Sequence, residues 1–292
     1  MTDLIALTKR NIKVFLRDKM GVFFSFLSVI IMLFLYFAFL GKTYSASFSE
    51  YVSDKNLINF LSLSQMMGGV LVINTLSLAV GVSGTLVNDQ NNNALDSLLV
   101  TPIKRYKITL AYYLSVLFIT YVLTVLMWLI TVLYVGFTTT YWYSFSLIII
   151  IVLVLLLFTI ISTAIMVFLA TIIKSSAAFG ALASIIGTVI GFMSGIYMPL
   201  VVLGQGTKYV ASCVPFTHMT IFLKGLMLKE PLSYVPFLSG EALKEVRDYL
   251  GINNIGFLGL NVPLWALLIG CCLLAFGLGI ASVYIMKRKL NK

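Results

Sequence analysis

Between Ile108 and Ile173 the chain has 66 residues without a single Asp, Glu, Lys or Arg. Such a tract has few ways to fold. At 1.5 Å per helical residue and about 20 residues per crossing, it passes through a bilayer at least twice. Non-helical backbone in hydrocarbon would leave its amides and carbonyls without partners, so the crossings must be helical. The rest of the chain agrees, with 60% apolar and 10% charged residues over 292 positions. No soluble domain of this length has that balance. The sequence therefore reads as an all-α integral membrane protein.

Six spans are expected, at about 21–41, 57–87, 108–136, 147–173, 176–201 and 260–286. The second and third exceed the membrane thickness and must tilt or project from it. The region 204–259 has apolar pieces too short and interrupted to cross, which suits re-entrant helices and leaves counts of five or seven open. With six spans, thirteen Lys and Arg and four acidic residues fall on one side, against seven and six on the other, or net charges of +9 and +1. The positive-inside tendency then makes both termini cytoplasmic, in the plasma membrane. The +10 total is a topology signal, and nucleic acid is not an expected partner.

Residues 3–19 suit an amphipathic helix on the membrane surface. Leu4, Ile5, Leu7, Ile12, Val14, Phe15 and Leu16 form its apolar arc, and Lys9, Arg10, Lys13 and Arg17 its opposite face. A signal peptide is the other reading, but the run from Gly21 to Leu40 is too long for its apolar core and no cleavage site follows. The alternative to membrane-surface binding is that the cations only enforce topology.

Catalytic constellations are missing from the sequence. There is no phosphate-cradling Gly-x-x-x-x-Gly-Lys-Ser/Thr loop, no His-Glu-x-x-His and no Gly-x-Ser-x-Gly. His218 is the one histidine, which argues against a metal site, and Cys213, Cys271 and Cys272 suggest no disulfide framework. No ionisable residue is evident inside the spans, so any energy for uphill transport should come from a partner. Two sets of small and polar residues stand out instead. Gly187, Gly191 and Gly195 recur every four residues in the fifth span, a spacing that lets helices approach closely in lipid. Ser62, Gln65, Asn74 and Ser77 lie along the second span. These positions form either ordinary packing within the chain or a translocation path at a dimer interface.

The segment from Asn88 to Arg105 is polar, short and ends in cations. Asp89 and Asp96 bracket a short helix, Leu98 and Leu99 follow, and Thr101-Pro102 breaks it. A plain connector needs none of these, whereas a helix that docks on another protein would use them.

Here the chain resembles the permease subunits of ABC-2 type ABC transporters. Their loop after the second span reads roughly Glu-Arg-Glu-x-Gly-Thr-Leu-Glu-x-Leu-Leu-x-Thr-Pro. Asp89 stands at the first Glu, and Leu95, Asp96, Leu98, Leu99, Thr101 and Pro102 match in place. Gln90, Asn91, Asn93 and Ala94 depart from the pattern, at the Arg, second Glu, Gly and Thr. Ser194 to Pro199 and Val214 to His218 resemble the family's segments at the end of span five and the start of its external re-entrant helices.

The resemblance implies a domain of six spans over 21–292, after a cytoplasmic amphipathic helix at 1–20. A coupling loop at 88–106 and an external region at 202–259 belong to it. It implies a partner ATPase that binds ATP and Mg, so that this chain holds no cofactor and is not itself an enzyme. It also implies a coupling helix over Asn88 to Val100, with Leu95, Leu98 and Leu99 as apolar anchors and Asp89 and Asp96 orienting the contact. A second permease, identical or homologous, and surrounding lipid complete the expected partners. The function implied is export of a hydrophobic or amphipathic substrate such as a drug, an antimicrobial peptide or a lipid-linked molecule. The alternatives are a secondary transporter or channel acting alone, which should show intramembrane charges or matched broken helices, and a membrane scaffold or sensor.

Overall fold

In a computed structural model of the chain, residues 2–23, 27, 30, 34, 48–49, 52–95, 103–195, 204–235, 246–247, 250–253 and 255–289 are described. Most of the expected first span lies outside them. The described residues are helical, without strands, and form nine helices. These are α1 Thr2–Arg17, α2 Lys55–Asn91, α3 Arg105–Thr139, α4 Phe145–Ile172, α5 Ser176–Met193, α6 Gln205–Ser212, α7 Pro215–Met227, α8 Lys229–Ser233 and α9 Leu264–Lys289. Five of them, α2, α3, α4, α5 and α9, are long and apolar enough to cross a membrane.

The bundle is organised around α2. Twenty-five of its 37 residues are buried, and it packs against α1, α3, α4, α5, α7 and α8. At 1.5 Å per residue it is about 55 Å long, so it overshoots the roughly 30 Å hydrocarbon layer, as its length requires. Asp54 starts it, accepting the Asn56 amide at 2.9 Å, the usual role of a side chain before the first turn. The expected small-polar stripe turns inward. Ser62, Gln65 and Asn74 are buried, and Ser77 is half-buried. Asn74 Nδ2 donates to Thr124 Oγ1 of α3 at 3.3 Å, Gln65 Nε2 to the Leu250 carbonyl at 2.7 Å, and Thr75 shares a 2.8 Å hydrogen bond with Ser162 of α4. These bonds lie within one chain, while Ser62 Oγ, Gln65 Oε1 and Asn74 Oδ1 are buried without partners.

The periphery is the reverse. Trp265, Ile269, Leu273, Phe276, Ile280 and Tyr284 of α9 are all exposed and recur every three or four residues, forming one apolar face. In α5 a Cβ at Gly187 would meet nothing within 4 Å, while Gly191 is buried. Gly195 does not continue that stripe. The helix ends at Met193, because Gly195 takes a left-handed φ of 70° and its amide bonds back to Phe192, and residues 196–201 of the expected span lie outside the described residues. That is a common way for a helix to end.

The region after α5 contains a bent helix pair, which is either a broken span or a re-entrant loop. α6 and α7 meet at 93° across Cys213 and Val214, and Pro215 opens α7, where its missing amide costs nothing. α7 then packs back against α2, α4 and α9.

Candidate functional site

The end of α2 is a junction built from three consecutive residues. Asn88 Oδ1 accepts the hydroxyl of Ser176 at 2.7 Å, at the start of α5. Asp89 Oδ2 accepts Arg10 Nη1 of α1 at 2.5 Å and also the Tyr112 hydroxyl of α3. Gln90 Nε2 donates to the Ala170 carbonyl of α4 at 2.8 Å, and its Oε1 accepts Lys289 Nζ of α9 at 3.3 Å. Three neighbouring side chains thus hold five other helices. The helical backbone makes this possible, since residues i, i+1 and i+2 project about 100° apart.

Two parts of the junction follow from helix chemistry. The last carbonyls of α4 have no partner in their own helix, and Lys289 donates to those of Thr171 and Ile172. In α1, Asp3 and Arg10 are two turns apart on one face. Asp3 pairs with Lys107 at 2.9 Å and Arg10 with Asp89, so α1 is pinned twice against the start and interior of α3 and the foot of α2. The Asp89 carboxylate raises the Arg10 pKa further above its ordinary value and keeps it charged.

Packing on the bundle uses only part of the α1 surface. Leu7, Asn11 and Phe15 are buried, whereas Ile5, Val14 and Leu16 are exposed. The inner face is narrower than the apolar arc read from the sequence. Arg10, expected among the outward cations, turns inward because Asp89 and Tyr112 wait there.

The coupling segment also begins differently. Asn88 to Asn91 belong to α2, and the chain turns at Asn93, whose φ is 55°. Asn tolerates this left-handed position, where glycine is the usual residue. Asp89 faces the bundle, and Leu95 is buried within the main apolar core. Asp96, Leu98, Leu99, Thr101 and Pro102 lie outside the described residues.

A second site was not legible in the sequence. Lys224 of α7, counted there as an external cation, is buried at 4% exposure, and its Nζ donates to the Gly195 carbonyl at 2.6 Å. It takes part in neither salt bridge among the described residues. A cation beside a helix C-terminus contributes roughly 0.3–1 kcal/mol, about 2 at most. Burying an ammonium costs several kcal/mol. End-capping of α5 therefore does not explain Lys224. Ser194 Oγ, beside the acceptor Gly195, and Thr220 Oγ1, four residues before Lys224, are buried without hydrogen-bond partners.

A family model described as ABC-2 type transporter matches residues 2–228, more than three quarters of the chain. The chain belongs to the ABC-2 type transporter family. It is a multi-pass transmembrane permease component, and the match takes in Asn88, Asp89, Gln90 and Lys224. No curated protein matches it.

Proposed function

We propose that this ABC-2 chain is the membrane half of an ATP-driven exporter for an amphipathic substrate, worked by a separate cytoplasmic ATPase. The observation that carries this reading is the Asn88-Asp89-Gln90 junction. It stands where the chain leaves α2 for the segment 94–105, and it is bonded to five other helices. Force applied to that segment by a docked ATPase would reach all of them together, as rigid elements turning about an interface. In this reading Leu98 and Leu99 seat in the ATPase, and Asp96, Thr101 and Pro102 shape the helix that presents them. A second permease would lie against α5, whose Gly187 face is open.

The test is co-purification. The full chain, extracted in mild detergent from its own cells, should bring down an ATPase, and the variant L98D/L99D should lose it while keeping its helical circular dichroism. Retained association would move the docking site elsewhere. Reconstituted flux that never responds to ATP would remove the exporter reading.

A further inference from the structure

We infer that Lys224 is the cation of a recognition site for anionic amphipaths, binding a headgroup phosphate or carboxylate. This deepens the permease reading and rests on it for the direction and purpose of binding.

The Lys224 ammonium has three N–H donors, and the Gly195 carbonyl takes one of them. Ser194, next to that acceptor, and Thr220, one turn before Lys224 on α7, present buried hydroxyls with no partner. The ammonium thus has donors to spare and no carboxylate partner among the described residues, so its chemical complement is an oxyanion. A structural residue at this position would be apolar, since Met fills the same volume without a buried charge. Ionisable groups at membrane depth are expensive, and they mark binding sites and pathways by default.

The setting also suits a site that opens. Lys224 is on the α6–α7 hairpin, and its acceptor follows the C-terminus of α5, so the hydrogen bond crosses between two elements. Its stem runs over Gly68 of α2, where an added methyl would lie 2.8 Å from Lys224 Cγ. Gly68 is 23 residues from Asn91, about 34 Å along α2. Separation of the hairpin from α5 would free the ammonium from Gly195 and offer it to a headgroup, while the tail lies among apolar helices.

The experiment uses the purified full-length chain in neutral maltoside-type micelles, with empty micelles as the blank. The probes are dodecyl phosphate, laurate and neutral dodecyl maltoside, which share one tail length. Wild type should bind the two anions at least tenfold more tightly than the maltoside. K224Q and K224M should reduce that ratio to within twofold of one, and K224R should keep it. Equal affinity for charged and neutral probes in wild type overturns the inference, and does so even if neither neutral variant folds. A preference that survives K224Q belongs to the cations near the termini and overturns it too. Competition by inorganic phosphate at the same concentration would assign the site to a free anion, also against the proposal. No ATPase is needed, so failure here leaves the exporter reading to its own co-purification test.

Discussion

The contact between Arg10 and Asp89 should show strong energetic coupling. Its nitrogen and oxygen are 2.5 Å apart, with side-chain exposures of 38% and 13%. Two charges centred about 4 Å apart attract by roughly 4 kcal/mol at an effective dielectric of 20. Solvent reaches the Arg10 side, and desolvation opposes the rest, which leaves about 1–2 kcal/mol. R10Q and D89N should therefore each destabilise the chain, because each strands a half-buried partner. The double variant should cost much less than their sum. Equilibrium unfolding of the detergent-solubilised full chain, followed by circular dichroism, gives the four free energies of the cycle. Independent sites add to within about 0.3–0.5 kcal/mol. Additivity inside that limit would mean that Arg10 and Asp89 do not meet, and the placement of α1 would be wrong.

Two further substitutions probe the interior. G68A should destabilise by about 1–3 kcal/mol, because its methyl would lie 3.0 Å from Lys224 Cα and 3.1 Å from its amide nitrogen, so α7 itself must move; an unchanged melting temperature would contradict the packing of α7 on α2. Y143F should lose only about 0.5–1.5 kcal/mol in the same unfolding measurement, since Ser64 keeps its 2.6 Å bond to the Phe60 carbonyl and the ring keeps its contacts with Phe60 and Trp128; a loss as large as that of Y143A would show that the hydroxyl matters more than the ring.

What was legible in the sequence was whatever depends on local composition. Charge-free tracts gave α3 and α4, and apolar pieces too short to cross gave the bent α6–α7 pair. Arg10 was illegible because its direction is set by Asp89, 79 positions away, and nothing in a helical wheel records a distant acceptor. Lys224 was illegible for a related reason. A sequence assigns a cation to the loop that contains it, whereas the fold returns α7 into the bundle and takes the charge along. Gly195 was read by its spacing from Gly187 and Gly191, yet one left-handed residue outweighs a periodicity by ending the helix that the pattern assumes. The polar residues of α2 were visible in the sequence, whereas their partners in α3 and α4 were not, because Asn74 meets Thr124 and Thr75 meets Ser162 only in the folded bundle.

The two features that sequence reasoning missed lie along the same helix. α2 ends in the junction at Asn88-Asp89-Gln90, and its Gly68 touches Lys224 about 34 Å away. A packed helix of this kind does not bend gradually under load, because close-packed interiors transmit strain. Its foot cannot shift alone either, since that would break bonds to α1, α3, α4, α5 and α9 at once. The low-cost motion carries those helices together and puts the load on contacts at the other end, among them the hydrogen bonds from Lys224 to Gly195 and from Thr217 to Met193. The Lys224 bond spans the hairpin and α5, and α5 is joined to the foot of α2 through Ser176. Displacing the foot is therefore expected to pull the acceptor from the ammonium, so that events at the 94–105 segment set when Lys224 is free to bind.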